Sequence, residues 1–260
     1  YNLRANISFD PTNWLEIGAK TGLTYQEDWG NQSNNNEFGP MSLAYRTQPI
    51  IPVRDVMGNF AGTRAPGTGN SLNPLFQLWS NQYDQYKNLN PSGNAYAEAT
   101  IFEGLSFRSL LGFNYNANDN RNINYVEKAR SERGTYDGLS ESSSFGLQWN
   151  WSNTLEYNTT LNELHDVTIM LGSEAIENTS RWRGGSRDEF FSRNPLYMQL
   201  DAGVQNQSNY GNLSEWSLFS MFTRLNYNFD NKYMLGATLR RDASSRFGED
   251  NRSGIFPSFS

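Results

Sequence analysis

Residues 143–157 read SSFGLQWNWSNTLEY, and this stretch decides the fold because its side chains alternate between two kinds. One row is apolar apart from Asn153, and the row between its members, from Gly146 to Glu156, is small or polar. Successive side chains of a β-strand point to opposite faces, so a period of two predicts a strand with one apolar and one polar face. The apolar row comprises Phe145, Leu147, Trp149, Trp151, Leu155 and Tyr157.

The same alternation recurs along the whole chain, and helical spacing never persists. Strand 215–229, for example, sets Phe219 and Met221 against Ser220 and Arg224. Residues 256–260 begin a further strand of the same kind. We therefore predict an all-β antiparallel structure of about eight strands and the start of a ninth. The eight strands are predicted at 1–10, 14–28, 94–102, 105–117, 143–157, 166–179, 215–229 and 232–243.

The connections between the predicted strands alternate between short and long. Tight turns such as Glu103-Gly104 and Asp230-Asn231 separate loops that greatly exceed the ~4–6 residues usual in compact domains. Most predicted strands reach the ~9–11 residues that cross a bilayer obliquely, and aromatic residues lie near their ends. This pattern is typical of a transmembrane β-barrel of the outer membrane, with short periplasmic turns. Its long outward loops are predicted at 29–93, 118–142, 180–214 and 244–255.

A secreted β-sandwich that binds a ligand is the alternative, since a soluble antiparallel sheet also alternates. The loops of a sandwich have no reason to follow a strict short and long order, so the barrel is favoured. An open sheet in lipid would leave unpaired backbone groups at its two edges, which is costly. We therefore expect residues 1–260 to be part of a larger barrel with further strands.

Composition excludes several classes of function. The chain has no cysteine and a single histidine, His165, which rules out disulfides, cysteine metal sites and multi-histidine catalytic or metal sites. Its net charge of −6 argues against nucleic acid as a partner, because phosphates demand clustered Lys and Arg. Oxygen-rich stretches at 116–120 and 249–251 lack the spacing of a calcium loop and are interpreted as solvated loop tips. We expect no catalytic residue, no cofactor and no metal.

A family resemblance rests on runs of residues spread over nearly all of the chain. The most specific run is KYMLGATLRRDASSRFG at 232–248, continued by NRSGIFPSFS at 251–260 and preceded by FTRLNYNFDN at 222–231. These segments resemble the barrel of the SusC/RagA family of TonB-linked outer-membrane transporters of Bacteroidetes. Ala243 departs from the pattern, since the family often carries Gly there.

The resemblance implies a barrel of about 22 strands in the outer membrane of a Gram-negative, Bacteroidetes-like cell, closed by a plug. It also implies a SusD-like surface lipoprotein as a lid and a TonB complex that pulls on the plug. The family's plug domain and TonB-contacting segment have no counterpart in these residues. The expected function is TonB-dependent import of a bulky nutrient, an oligosaccharide or a peptide. A passive porin or a surface-adhesion barrel without energy coupling is the alternative.

Two sets of residues are candidates for contact with the substrate or the lid. The first set lies on polar rows predicted to face the lumen, where it either steers substrate and docks the plug or pairs with acids such as Glu98. It comprises Arg4, Arg108, Arg224 and Arg240. The second set consists of loop aromatics, whose flat rings stack on sugars, anchor a lid or pack the loops themselves. It comprises Trp79, Tyr83, Tyr86, Trp182 and Tyr197.

Overall fold

The computed structural model describes residues 1–30 and 39–260, and its main element is one nine-stranded antiparallel sheet. The strands are hydrogen-bonded in chain order, which confirms the predicted antiparallel all-β architecture. The expected ninth strand is present and begins at Ser253. The strands are β1 (Asn2–Thr12), β2 (Leu15–Trp29), β3 (Gln85–Phe102), β4 (Leu105–Asn124), β5 (Gly138–Leu161), β6 (His165–Asp188), β7 (Gln205–Phe229), β8 (Tyr233–Ser244) and β9 (Ser253–Phe259).

Several strands run further into the predicted loops than their apolar pattern indicates. β5, β6 and β7 contain 24, 24 and 25 residues. Their added ends are rich in Ser, Asn, Gly and Arg, so the alternation of apolar residues stops while the backbone ladder continues. The long connections are therefore shorter than predicted and span 30–84, 125–137, 189–204 and 245–252, with 31–38 outside the described residues.

The short turns at the opposite end of the sheet depend on residues that tolerate positive φ. Asp230 and Asn231 join β7 to β8 with φ values of 50° and 53°, a conformation in which Asp and Asn are enriched. Gly104 joins β3 to β4 at φ 85°, and a Cβ added there would lie 2.3 Å from the carbonyl oxygen of Asn158. A side chain at position 104 would therefore be both strained and obstructed.

Strand register sorts the side chains into two faces, because residues directly opposite each other in neighbouring strands share a face. Leu111 lies opposite Trp151, and Phe113 lies opposite Trp149. We call this side the apolar face. Asn114 lies opposite Gln148 on the other side, which we call the polar face. Across all nine strands, odd-numbered residues pair with odd-numbered residues and even-numbered with even-numbered. The exceptions are three local register shifts, each near a turn or a strand end.

The middle of the apolar face is exposed although its residues are large and hydrophobic. Leu111, Trp151 and Phe219 are 53%, 49% and 51% exposed. No second sheet covers them within the described residues. The β-sandwich alternative is therefore wrong, because a sandwich buries this row between two sheets. An exposed apolar band on one side of a sheet is what a lipid-facing wall requires.

The buried hydrophobic core lies where the long loops pack against the ends of β4 and β5, and not between sheets. Phe76, Ile123, Tyr125, Leu139 and Met198 pack together and are at most 5% exposed. We call these five residues and their partners Phe60, Trp79, Phe190 and Leu200 the loop cluster. Ile123 and Leu139 lie opposite each other in β4 and β5, on the apolar side of the sheet.

Two short helices lie in the first long connection, and the second of them supplies part of the loop cluster. Helix α1 spans Pro40–Arg46 and helix α2 spans Pro74–Asn81. Helix α2 begins where it does because the Asn73 side chain accepts hydrogen bonds from the amides of Leu75 and Phe76, at 2.9 and 3.2 Å. This cap directs Phe76 into the cluster. Among the described residues, no helix is long and apolar enough to cross a membrane.

Candidate functional site

The four predicted arginines all lie on the polar face. Arg4 is opposite Gly22, Arg108 is opposite Glu98, Arg224 is opposite Met170, and Arg240 is opposite Phe222. The register therefore assigns them to one surface, although they come from four different strands. Their local environments differ, so we describe them separately.

Arg108 is engaged by neighbours on its own face. Its guanidinium lies 3.4 Å from the Glu98 carboxylate and 4.7 Å from the centre of the Tyr96 ring. The Tyr96 hydroxyl in turn donates to Glu16 at 2.5 Å. Arg108 therefore pairs with an acid, and through its contact with the Tyr96 ring it belongs to a row of polar contacts across β2, β3 and β4.

Arg240 is held more tightly than Arg108. Its Nε donates to Asp242 at 2.7 Å, and its Nη2 donates to Ser220 at 2.9 Å and to Glu174 at 3.3 Å. Ser220 is fully buried beneath it, and the guanidinium centre lies 5.6 Å from the centre of the Phe222 ring. Three strands, β6, β7 and β8, are therefore tied together on the polar face by one cation.

Arg4 and Arg224 remain more available to a ligand. Within residues 1–30 and 39–260, Arg224 donates only to Asn226, at 3.1 Å, and both residues are on β7. Arg4 makes no side-chain hydrogen bond or ion pair with any other described residue. These two arginines are therefore the better candidates for charge on an accessible polar wall.

An asparagine ladder on the polar face was not predicted from the sequence. The amide of Asn88 donates to Asn118 at 2.6 Å, Asn118 donates to Asn116 at 2.6 Å, and Asn116 donates to Asn90. The stretch 116–120 is thus part of β4, so its interpretation as a solvated loop tip is wrong. The signal was the alternation of Asn within 114–120, which shares the strand period and places several amides on one face.

The five aromatic candidates do not form one site. Tyr86 and Trp182 belong to strands β3 and β6 and lie on the polar face, so placing them in loops was wrong. Their strands continue beyond the apolar stretch, which is why the pattern missed them. The Tyr86 hydroxyl donates to Asn118 at 2.9 Å, at the edge of the asparagine ladder. The Trp182 ring lies 5.3 Å from the Tyr210 ring, a partner that the sequence did not single out.

The other three aromatic candidates lie in or near the loops. The Trp79 ring is 4.9 Å from the Tyr125 ring and packs into the loop cluster. Tyr83 lines an open cleft beside Trp79, and the Tyr197 ring is 5.5 Å from the Phe191 ring. For Trp79 the loop-packing interpretation describes the observed contacts.

One more aromatic residue on the polar face was missed. Trp216 lies opposite Asn178, and the guanidinium of Arg246 sits 4.5 Å from the centre of its ring. Trp216, which is half-buried, and Trp182, which is exposed, therefore lie on the same side of the sheet. The alternation of side chains along 205–229 would have placed Trp216 on the polar face, because Trp216 falls in the same row as Ser220 and Arg224.

Two carboxylates are enclosed where the loops meet the sheet. Asp84 accepts a hydrogen bond from the amide of Ile123 at 2.8 Å, and Glu127 accepts from the amide of Asn73 at 3.2 Å. Both residues are buried. Burial raises the pKa of Asp84 from 3.8 to about 6 and the pKa of Glu127 from 4.5 to about 7, although the hydrogen bonds act in the opposite direction.

These raised pKa values predict that the loop cluster loses stability as pH increases. Below the ordinary carboxyl pKa both the folded and the unfolded loops carry the proton, so the full stability is present. As pH rises through about 6 to 7, the folded state must give up protons that the unfolded state has already lost. Hydrogen exchange of the Ile123 amide, corrected for intrinsic rates, should show more protection at about pH 5 than at about pH 8.

Matched variants test this assignment. Asp84→Asn combined with Glu127→Gln should flatten the dependence on pH, because neither amide titrates. Asp201→Asn changes an exposed acid of the 189–204 loop and should leave the dependence intact. An unchanged pH dependence in the double variant would contradict the role of the two buried carboxyls.

The sequence and the sheet are similar to those of known outer-membrane receptors. No family model matches the chain. It is 28% identical over 255 residues to TonB-dependent receptor P39 of Formosa agariphila, covering 96% of this chain and 23% of that protein. It is 36% identical over 95 residues to TonB-dependent receptor SusC of Bacteroides thetaiotaomicron, covering 36% of this chain and 9% of SusC. The chain spans about a quarter of the length of the relatives that it matches throughout.

A solved structure agrees with these relatives. The structure of the RagAB peptide importer in its closed-closed state superposes with a TM-score of 0.79 at 23% identity, covering all of this chain and 29% of that one. This likeness establishes the fold. The nine-stranded sheet thus corresponds to part of the wall of an outer-membrane β-barrel.

Proposed function

Because this chain belongs to the SusC/RagA family of TonB-dependent receptors, outer-membrane proteins of Bacteroidetes, we propose that it is part of a barrel that imports a bulky nutrient by TonB-dependent transport. The nutrient is an oligosaccharide or a peptide. The matched relatives are receptors, and RagAB is described as a peptide importer. No catalytic step is assigned to any residue of the chain.

The observation that carries this proposal is the division of the sheet into two chemically different faces. The apolar face exposes large hydrophobic residues to lipid. The polar face combines arginines, an amide ladder and aromatic rings along the same wall. Amide and guanidinium groups bind hydroxyls, carbonyls and carboxylates, and rings stack on sugars or apolar side chains. This mixture suits a large polar solute.

The proposed orientation follows from the two kinds of connection. The short turns, such as 103–104 and 230–231, face the periplasm, and the connections 30–84, 125–137, 189–204 and 245–252 face outward. A SusD-like lipoprotein would then meet the outer ends of β3 to β7 and the loop cluster, where Tyr83 and Tyr197 are exposed. The TonB complex would act through a plug that these residues do not include.

A growth experiment tests the transport proposal. A strain that lacks the receptor gene is grown with oligosaccharides or with peptides as the sole carbon source, and it is complemented with the intact gene. We expect complementation to restore growth on one of the two classes, and deletion of TonB to abolish it. Growth that persists without TonB would favour the passive porin and refute energy coupling.

Trp182 is the residue of the polar face for which we expect the largest effect on uptake. Its side chain is exposed and its ring lies beside Tyr210, which together form an aromatic platform at the outer end of the wall. Trp182→Ala should weaken substrate binding by roughly tenfold, since exposed aromatic anchors contribute about 1–2 kcal/mol. Uptake of labelled substrate by whole cells at several concentrations measures this as an increased half-saturation concentration.

The matched control is Trp151→Ala, which removes a similarly exposed tryptophan from the apolar face. It should leave the half-saturation concentration unchanged once the amount of receptor in the membrane is equalised. If both variants change uptake equally, the polar face does not carry the substrate.

A further inference from the structure

The apolar face carries a basic cleft at its outer end, where five strands contribute side chains. The cleft has a volume of about 350 Å³ and is open to solvent. Its lining includes three aromatic rings, from Tyr25, Tyr115 and Phe145, and three cations, from Lys87, Arg181 and Arg183. Aromatic and cationic groups thus meet in one depression on the outside of the wall.

Register places these side chains on the apolar face and not on the polar face. Arg181 lies opposite Phe145 and Arg183 lies opposite Ser143. Phe145 shares its face with Leu147 and Trp149, which lie two and four residues further along β5. All of these residues therefore share the apolar face.

The cleft also marks the level at which the lipid-facing surface becomes charged. From the short turns to the cleft, the apolar face of β2, β3, β4 and β5 carries no charged residue. On β6, Glu177 comes first, opposite Trp149, and Arg181 follows on the same face four residues later. A change from apolar to charged residues, bordered by aromatic rings, is expected where a barrel leaves the hydrocarbon and meets headgroups.

The charge of the cleft is predominantly positive. Asp119 is its only carboxylate among the described residues that line it. Lys87 is partly neutralised, because its Nζ lies 3.9 Å from Glu27 and it stands opposite Asp119 in register. Arg183 donates to the Ser143 hydroxyl at 3.3 Å, and neither Arg181 nor Arg183 forms an ion pair within the described chain. Two exposed guanidinium groups, two residues apart on one strand face, remain available to an anion.

We propose that this cleft binds the phosphorylated glucosamine headgroup of lipopolysaccharide in the outer leaflet. Guanidinium groups bind phosphate through paired charge-assisted hydrogen bonds, and Arg181 and Arg183 would hold the phosphates. The acyl chains would descend along the apolar face past Phe145 and Tyr115. The inference goes beyond transport and rests on the proposed orientation, in which this end of the sheet faces outward.

Binding of purified lipid A to the full-length receptor tests the proposal. The delipidated receptor in detergent is titrated with fluorescent lipid A that carries its phosphates, and separately with lipid A from which the phosphates have been removed. We expect the phosphorylated form to bind about tenfold more tightly, and Arg181→Gln combined with Arg183→Gln to remove most of that preference. Equal binding of both forms by the unaltered receptor, or unchanged binding by the double variant, would overturn the proposal.

Two further variants test whether the charges of the cleft are what bind lipid A, whether the barrel still folds, and whether the two faces are assigned correctly. Arg181→Lys combined with Arg183→Lys keeps both charges and should retain much of the preference for phosphorylated lipid A. That result would show that the Gln double variant loses the binding site and not the fold of the barrel. Arg224→Gln removes an arginine from the polar face and should leave lipid A binding unchanged. Loss of lipid A binding in Arg224→Gln alone would show that the faces are assigned the wrong way round. Nutrient uptake is measured in parallel and is expected to survive loss of the cleft, so the two proposals fail independently.

Discussion

Replacing Leu111 with Arg is expected to destabilise the folded barrel by about 2–4 kcal/mol, because a charge near the middle of the lipid-facing surface must leave water. Leu111 lies near the centre of the apolar stretch of β4, opposite Trp151 on one side and Ala95 on the other. None of these neighbours can pair with a guanidinium. Trp149 is a poorer position for this test, since Glu177 stands opposite it and would pair with an introduced cation.

The matched control is Asn114→Arg on the same strand. Asn114 faces the polar side, opposite Ser92 and Gln148, where a cation stays hydrated. Equilibrium unfolding of the full-length receptor in urea, in lipid vesicles, measures both free energies. Equal losses of stability would contradict the assignment of the two faces.

Replacing Leu139 with Ala is expected to destabilise the loop cluster by about 2–5 kcal/mol, which is the usual cost of emptying a well-packed leucine site. Leu139 is 2% exposed and packs with Phe76, Ile123, Tyr125 and Met198. Since the cluster is built from separate loops, its loss should release them together. Hydrogen exchange of residues 39–84 and 189–204 should rise, while the central parts of β5 and β6 remain protected.

Leu147→Ala provides the control for this second variant. Leu147 lies on the same strand and the same face, but it is 39% exposed and lies outside the loop cluster. Its truncation should leave the exchange of the loops unchanged. If Leu147→Ala releases the loops as strongly as Leu139→Ala does, the loops depend on the sheet as a whole and not on their own core.

The fold could be predicted from sequence wherever one face of a strand is apolar. In β5 the row from Phe145 to Tyr157 gave the correct strand and the correct face, because the period of two is a local property of the backbone. The same rule placed Arg4, Arg108, Arg224 and Arg240 on one surface. At the turns, Asp230-Asn231 and Glu103-Gly104 were found because positive φ selects few residue types.

The outer ends of the strands were not predictable by that rule. Residues 180–188 and 205–214 are strand, although small, polar or charged residues predominate in both of their rows. Backbone hydrogen bonds to the neighbouring strand hold them, and such bonds depend on the partner and not on the side chains of the strand itself. Trp182 was therefore assigned to a loop, and its partner Tyr210 was not noticed.

Local sequence thus determined the antiparallel strands, their two faces and the short turns, because each follows from the conformational preferences of neighbouring residues. Only the tertiary structure decided which residues from distant positions meet. The pairing of β6 with β5 sets Arg181 beside Phe145, and the packing of the loops gathers Phe76, Leu139 and Met198 around Tyr125. These contacts join residues up to about 120 positions apart, and no periodicity within one segment encodes the register or loop closure that brings them together.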